Sequence, residues 1–350
     1  MSLDWINKPL ALINHDWLVS ARQQQNNLTK PPGSLGKLEE IAIRLSSLFS
    51  CARPSLNKIT IVIFAADHGI AKENVSAFPQ AVTVEMIRNF SRGGAAISVL
   101  AKELCADLEV VNVGTVSEHE ALDSVIDQRI AAGTANFSKQ PAMTLQQLAE
   151  ALNVGRDAID RAKKSAAQLF IGGDMGIANT TAATAIACAL LKAEPETIAG
   201  PGTGLDKQGV SHKAEVIRQS LQQHKDNLNT PLEILQHVGG FEIAALTGAY
   251  IACAQRGLPA VVDGFISSAA ALVALRINPA IKDWLFFAHA SAEPGHKIML
   301  QAMNVQPLID MNMRLGEGSG AAVVVPMMRM ACALHNNMAT FAQAGVSNKS

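Results

Sequence analysis

Leu169-Phe-Ile-Gly-Gly-Asp-Met-Gly-Ile-Ala-Asn-Thr-Thr181 is the stretch from which the fold is read. It opens in a short apolar run over 168–171, the composition of a fully buried strand. It then crosses a glycine-rich polar segment and enters an alanine-rich helical pattern over 181–191. A strand that passes through glycines into a helix is the first half of a crossover unit. The glycines permit close approach of backbone to a ligand, and Asn179 or Thr180 is placed to cap the helix. Its free N–H groups would then face an anion such as a phosphate.

The same alternation continues on both sides. Apolar runs over 59–64, 108–113, 260–262 and 284–288 read as strands, with helical patterns over 83–90, 95–104, 207–223, 241–254 and 267–275 between them. Alternation of this kind predicts an α/β fold with a doubly wound, mainly parallel sheet. Polar clusters follow four of the strands: Ala66-Asp-His-Gly69, the segment 172–181, Asp263-Gly264, and His289-Ala-Ser-Ala-Glu-Pro-Gly-His296. Ligands of open parallel sheets lie outside the carboxyl ends of the strands, so all four clusters are expected to converge on one crevice. Near the N-terminus, Leu38, Ile41, Leu45 and Leu48 recur at helical spacing after the breaker-rich Lys30-Pro-Pro-Gly-Ser34. The tail from Gly320 is also helical in composition, with Pro326 expected to kink it or mark a first turn. A small helical domain from 1–56 plus 321–350 is therefore expected beside a large α/β substrate-binding and catalytic domain over 57–320.

Composition narrows the function. Charged residues make up 17% of the 350 residues and apolar ones 49%, against a usual charged share of about 25%, so part of the surface should meet another subunit. Net charge is −1 and no Lys/Arg run stands out, which argues against a nucleic-acid partner. The opening MSLDWINKPL has no basic and apolar leader pattern, and runs such as 264–275 are too short to span a bilayer, so a cytoplasmic protein without membrane contact is expected. Five widely spaced cysteines without a CxxC argue against a disulfide framework or structural zinc, and predict buried free thiols.

Gly316-Glu-Gly-Ser-Gly320 is the sharpest local feature. A carboxylate between glycines, just ahead of an apolar helix, can enter a crevice closely, and desolvation there raises its pKa toward that of a useful base. Asp174 and Asp263 add carboxylates to the same crevice. Gly200-Pro-Gly-Thr-Gly204 is a flexible loop that matches neither GxGxxG nor the GxxxxGK[ST] loop, and Lys213 on the next helix is a candidate phosphate partner. His289, Glu293 and His296 have metal-ligand types at helical spacing, but Pro294 and Gly295 interrupt the face. A loop lining a substrate phosphate, with Ser291 as donor, is preferred to a metal site. Asp67-His68 reads either as a catalytic pair or as a loop that shapes the crevice. No Ser/His/Asp or Cys/His nucleophile arrangement is legible.

Leu28-Thr-Lys-Pro-Pro-Gly-Ser-Leu-Gly-Lys-Leu-Glu39, Ala66-Asp-His-Gly69, Gly173-Asp-Met-Gly-Ile-Ala-Asn-Thr-Thr181, His237-Val-Gly-Gly-Phe241, Asp263-Gly-Phe265, Ser291-Ala-Glu293 and Arg314-Leu-Gly-Glu-Gly-Ser-Gly-Ala-Ala322 stand in one order along the chain. Together they resemble the nicotinate-nucleotide:dimethylbenzimidazole phosphoribosyltransferases, which make the lower-ligand nucleotide of cobalamin. The resemblance implies a Rossmann-like sheet, a helical domain drawn from both chain ends and a homodimer. It makes Glu317 the catalytic base and gives Lys213 and Ser291 a share in holding the nucleotide phosphate. Where the family usually has Gly-Glu, this chain has Gly173-Asp174, a carboxyl one methylene shorter.

The substrates implied are nicotinate mononucleotide and 5,6-dimethylbenzimidazole or a related base, and the products α-ribazole 5'-phosphate and nicotinate, with inversion at C1'. Catalysis is expected from Glu317 and Asp174. Phosphate and ribose contacts are expected from Gly176, Asn179, Thr180, Gly202, Gly204, Lys213, Asp263, Ser291 and Gly318. An acceptor-base pocket is expected from Phe78, Pro79, Met86, Met175 and Leu315. Phe78 and Met86 are apolar where some relatives carry polar groups. The cationic leaving group already activates C1', so neither metal nor cofactor is expected. Three other readings remain at this point: a related transferase using phenolic or other azole acceptors, an NAD-dependent oxidoreductase, which the missing GxGxxG disfavours, and a non-catalytic nucleotide-binding homologue.

Overall fold

The computed structural model of the protein describes residues 3–347. Six strands, β1 (Ile59–Ala66), β2 (Asp107–Gly114), β3 (Val125–Asp127), β4 (Leu169–Met175), β5 (Ala260–Val262) and β6 (Leu285–Phe287), form one sheet in the order β3-β2-β1-β4-β5-β6. All neighbours pair in parallel. The doubly wound α/β fold expected from the sequence is the one that forms. Every residue of β1 is buried, as a central strand covered by helices on both faces must be. The strand order runs outward in both directions from β1 and β4, so the topological switch point falls between their carboxyl ends.

The expected elements appear with ends shifted by a few residues, the ordinary uncertainty of helix and strand boundaries. One shift has a cause that bears on function. The strand expected to stop at Ile171 continues to Met175, because Gly173, Asp174 and Met175 pair with Ile63, Phe64 and Ala65 of β1. Gly172 and Gly173 are therefore strand residues, and Asp174 sits on a rigid element. The elements not anticipated include the three-residue β3, the Pro231–Val238 and Pro294–Ala302 helices, and the Leu145–Lys164 helix capped by a Thr144/Gln147 box. That last helix lies backbone to backbone on the Phe241–Arg256 helix. A Cβ on Gly155 would fall 1.8 Å from Ala245 O, and one on Gly248 would fall 2.2 Å from Leu152 O.

Helices from the two chain ends meet. Lys37–Phe49 packs both with His15–Asn27, which is started by the Asn14 side chain, and with Ser319–Asn337. Gln25 Nε2 bonds His335 Nδ1 at 2.9 Å, and Leu28 pairs with Thr340. Pro326 lies inside Ser319–Asn337 and not in its first turn. All five cysteines are free, and Cys188, Cys253 and Cys332 are buried. Cys51 is half-buried and Cys105 exposed, contrary to expectation. Cys105 stands in left-handed conformation where its helix ends, at the surface. Among the described residues no helix is long and apolar enough to cross a membrane.

Candidate active site

A cavity of about 320 Å³ opens at the carboxyl ends of the strands, lined by residues from three strand-end loops and from the segment ahead of the last long helix. From β4 come Asp174, Met175, Gly176, Ile177, Asn179 and Thr180, from the end of β5 Asp263 to Ile266, and beyond β6 His289, Ser291 and Glu293. Gly202 and Thr203 close one wall, Phe78 stands at the mouth, and Arg314 to Glu317 close the other side. Three of the four expected clusters converge here. The fourth does not: Asp67 and His68 lie one layer back. His68 Nε2 donates to Glu242 Oε1 at 2.6 Å, and Asp67 accepts from Val116 N at 2.8 Å. Of the two readings of this pair, the loop that shapes the crevice matches the geometry.

Glu317 sits on an unusual backbone. Gly316, Glu317 and Gly318 have φ of +86°, +62° and +77°, so three successive residues are left-handed. Glycine adopts this conformation without strain; glutamate does not. The turn presses on β4: a Cβ on Gly173 would lie 2.6 Å from Glu317 C and O. A bare glycine in the strand thus makes the bed on which the glutamate backbone rests. Glu317 is 7% exposed, and its Oε2 is buried with no hydrogen-bond partner. Burial, reinforced by the Asp263 charge and opposed by the Ile97 N–H, pushes its pKa up to about 7.

The other carboxyls are buried as well. Asp174 is 4% exposed; it accepts from Asn179 Nδ2 at 3.1 Å and from Ser267 Oγ at 3.4 Å. Burial, then the charges of Asp263, Glu242 and Glu317, raise its pKa well above the ordinary aspartate value. Asp263 accepts from Gly318 N at 3.2 Å and Ala321 N at 2.7 Å, with His289 Nε2 at 3.8 Å. Burial raises its pKa, while the His289 charge and these N–H groups pull the other way. Crowded carboxyls in a dry site keep protons that they would lose in water.

The opposite wall is built on the 200–204 loop. Lys213 Nζ is buried behind it, donating to Gly200 O at 3.0 Å and Thr180 Oγ1 at 3.2 Å. Burial brings the Lys213 pKa down to about 8, against a raising influence of Glu293. Glu293 Oε1 accepts from Gly202 N at 3.1 Å, and Arg314 donates to Gly202 O at 3.1 Å. Ser291 lines the cavity, its Oγ accepting from Glu293 N at 3.3 Å. His289, Glu293 and His296 do not share a helix face, since Pro294 begins the Pro294–Ala302 helix. The His296 ring bonds Ser268 Oγ and accepts from Ser291 N, both at 2.8 Å. Among the described residues no group of three or more His, Cys, Asp or Glu is arranged to hold a metal.

Several expected site residues stand elsewhere. Asn179 does not cap its helix; the cap position is Ala178 in left-handed conformation, and the Asn179 amide goes to Asp174. Gly204 is exposed at the end of the loop, with nothing within 4 Å of where a Cβ would stand, and Gly318 touches β4 and Asp263 behind the cavity wall. Pro79 is exposed, and Met86 packs against the core beside Asn89. Of the expected acceptor pocket, Phe78, Met175 and Leu315 line the cavity and these two do not. Arg314, Thr203 and Glu242 were not foreseen. Arg314 could have been found as the cation three residues ahead of Glu317, and Glu242 as the acid at the start of an otherwise apolar helix.

Comparisons with known proteins show the family. A family profile described as phosphoribosyltransferase matches residues 10–346. The nicotinate-nucleotide–dimethylbenzimidazole phosphoribosyltransferase of Pseudomonas aeruginosa PAO1 is 56% identical over 349 residues, covering 100% of this chain and 99% of that protein. The protein of the same name from Xanthomonas euvesicatoria pv. vesicatoria 85-10 is also 56% identical, covering 99% of this chain and 100% of its own. The crystal structure of the Thermus thermophilus enzyme of that name superposes with a TM-score of 0.91 at 41% identity, covering 96% of this chain and 100% of its own. With its fold and nearly all of its length thus matched, the chain belongs to the nicotinate-nucleotide–dimethylbenzimidazole phosphoribosyltransferase family.

Proposed function

We propose that this chain moves 5-phosphoribose from nicotinate mononucleotide to 5,6-dimethylbenzimidazole or a related base, with Glu317 as general base. The C1'–N bond to the pyridinium breaks with its electron pair leaving on the ring nitrogen, so nicotinate departs without needing a proton. One nitrogen of the acceptor attacks C1' from the opposite face and inverts it, giving α-ribazole 5'-phosphate. Glu317 takes the proton from the other nitrogen. The observation that carries this reading is the buried, unpartnered Oε2 of Glu317, on a carboxyl whose pKa is held at about 7. A base poised there is largely ionised just above neutrality and still able to hold a proton.

The phosphate is read against the wall formed by Thr180, Gly202 and Ser291, with the Lys213 charge behind the loop. Asp174, whose pKa is raised by burial and by its acidic neighbours, is read as a hydrogen-bonding group beside the ribose. Phe78, Met175 and Leu315 form an apolar wall suited to a flat aromatic acceptor. The same proposal includes a homodimer, a cytoplasmic location, and a catalytic unit over 57–320 with a helical unit from both ends. The packing of Lys37–Phe49 with both His15–Asn27 and Ser319–Asn337 supports the last of these.

Mass spectrometry of the product formed from nicotinate mononucleotide and a panel of benzimidazoles, phenols and other azoles tests the substrate assignment. An α-riboside phosphate of a benzimidazole is expected; turnover of phenols alone would replace it. Glu317→Gln is expected to lower kcat by about 10²- to 10⁴-fold, the range of a positioned general base. Undiminished turnover in a folded variant removes Glu317 from the role.

A further inference from the structure

Asp263 lies at the end of a strand only three residues long and is 1% exposed. Both of its carboxyl oxygens already hold backbone N–H groups, Oδ2 that of Gly318 at 3.2 Å and Oδ1 that of Ala321 at 2.7 Å. Those N–H groups belong to the start of the Ser319–Asn337 helix, whose own cap position, Gly318, supplies no side-chain acceptor. The missing local cap is thus provided by a different strand. A helix start left without acceptors in a buried place is unfavourable, and an anion is the best acceptor for it. Immediately before these N–H groups stands Glu317, in its left-handed conformation.

We infer that Asp263 is a positioning residue for Glu317, pinning the Gly318–Ala321 backbone so that the strained turn carrying the base is held against β4. This rests on the reading of Glu317 as the base and departs from the sequence expectation that Asp263 contacts phosphate or ribose. The groups facing the Glu317 carboxyl are Asp263 from β5, Asp174 from β4 and the Ile97 N–H from the Ala96–Leu104 helix, with His289 beyond Asp263. To the extent that Asp263 is ionised its charge raises the Glu317 pKa, so replacing it leaves a less basic Glu317 as well as a looser one.

A double-mutant cycle on the full-length enzyme tests this, using wild type, Glu317→Gln, Asp263→Asn and the double variant. The measurements are kcat, KM for nicotinate mononucleotide and the pH profile, with circular dichroism as fold control. Asp263→Asn is expected to lower kcat by about tenfold or more, since small misplacements of a reacting group are costly. KM should stay within about twofold, because both Asp263 oxygens are engaged by backbone N–H groups and are read as leaving the substrate to other residues. The acid limb of kcat should move to lower pH, and the double variant should be no slower than Glu317→Gln. A large rise in KM with kcat retained, or losses that multiply in the double variant, would overturn the inference. An active Glu317→Gln would instead overturn the base assignment, so the two failures are distinguishable. Should Asp263→Asn not fold, Asp263→Ser, which keeps one acceptor, takes its place in the cycle with the same two outcomes.

Discussion

At the scale of single residues, the base is legible from its neighbours and its conformation is not. Gly316 and Gly318 mark position 317 in the sequence, but the left-handed φ of +62° on the glutamate itself depends on what surrounds it. Non-glycine residues held in this region cost of order 1–3 kcal/mol and persist where the surroundings over-determine them. Burial adds a second cost with a definite sign. With its pKa raised from 4.5 to about 7, Glu317 resists ionisation in the fold and accepts it when unfolded, so the fold loses stability as pH rises from about 4.5 to about 7. Thermal melts should therefore show Glu317→Gln gaining on wild type at pH 8, with the difference shrinking toward pH 4.5. A pH-independent difference would contradict the raised pKa. The strain comes with the same side chain that is proposed to do the chemistry, a trade between stability and activity.

At the scale of elements, β4 and the two loops that face it hold the site. Position 173 of the strand is a glycine because the Glu317 backbone lies where a side chain would be, with Ile63 Cδ1 2.4 Å from the same point. Gly173→Ala is expected to cost about 1–3 kcal/mol in stability by overpacking and to lower kcat, because the turn must lift. Denaturant unfolding together with kinetics would show both effects. The sequence marked Gly172 and Gly173 as loop, since glycine is rare in strands; only the register with β1 makes them strand. On the opposite wall, Lys213 reaches Thr180 and the Gly200 carbonyl from behind. Lys213→Met should raise KM for nicotinate mononucleotide by about tenfold or more, the worth of a charge-assisted contact. An unchanged KM would mean that the lysine only supports the loop.

At the scale of the molecule, the sheet order β3-β2-β1-β4-β5-β6 brings Asp174, Asp263 and Ser291, from the ends of three successive strands or just beyond, to one rim. Its mouth is unusually apolar, with Phe78 50% and Leu315 58% exposed. Large apolar side chains in such positions serve a ligand or a second subunit. A homodimer is expected by light scattering at micromolar concentration, and a monomer there would refute it.

What the sequence determined by itself was the class of fold, through alternating apolar runs and helical periods, and the set of loops that meet, because parallel strands deliver their carboxyl ends to one side. It also marked the glycine-framed glutamate. The tertiary structure alone decided that Asp67 and His68 stand behind the cavity, that Asn179 serves Asp174 and leaves its helix uncapped, and that Asp263 caps a helix more than fifty residues away in the chain. Each of these depends on which groups burial leaves without water. A buried polar group must find its partner in space, wherever the chain has put it, and sequence spacing carries no record of that distance.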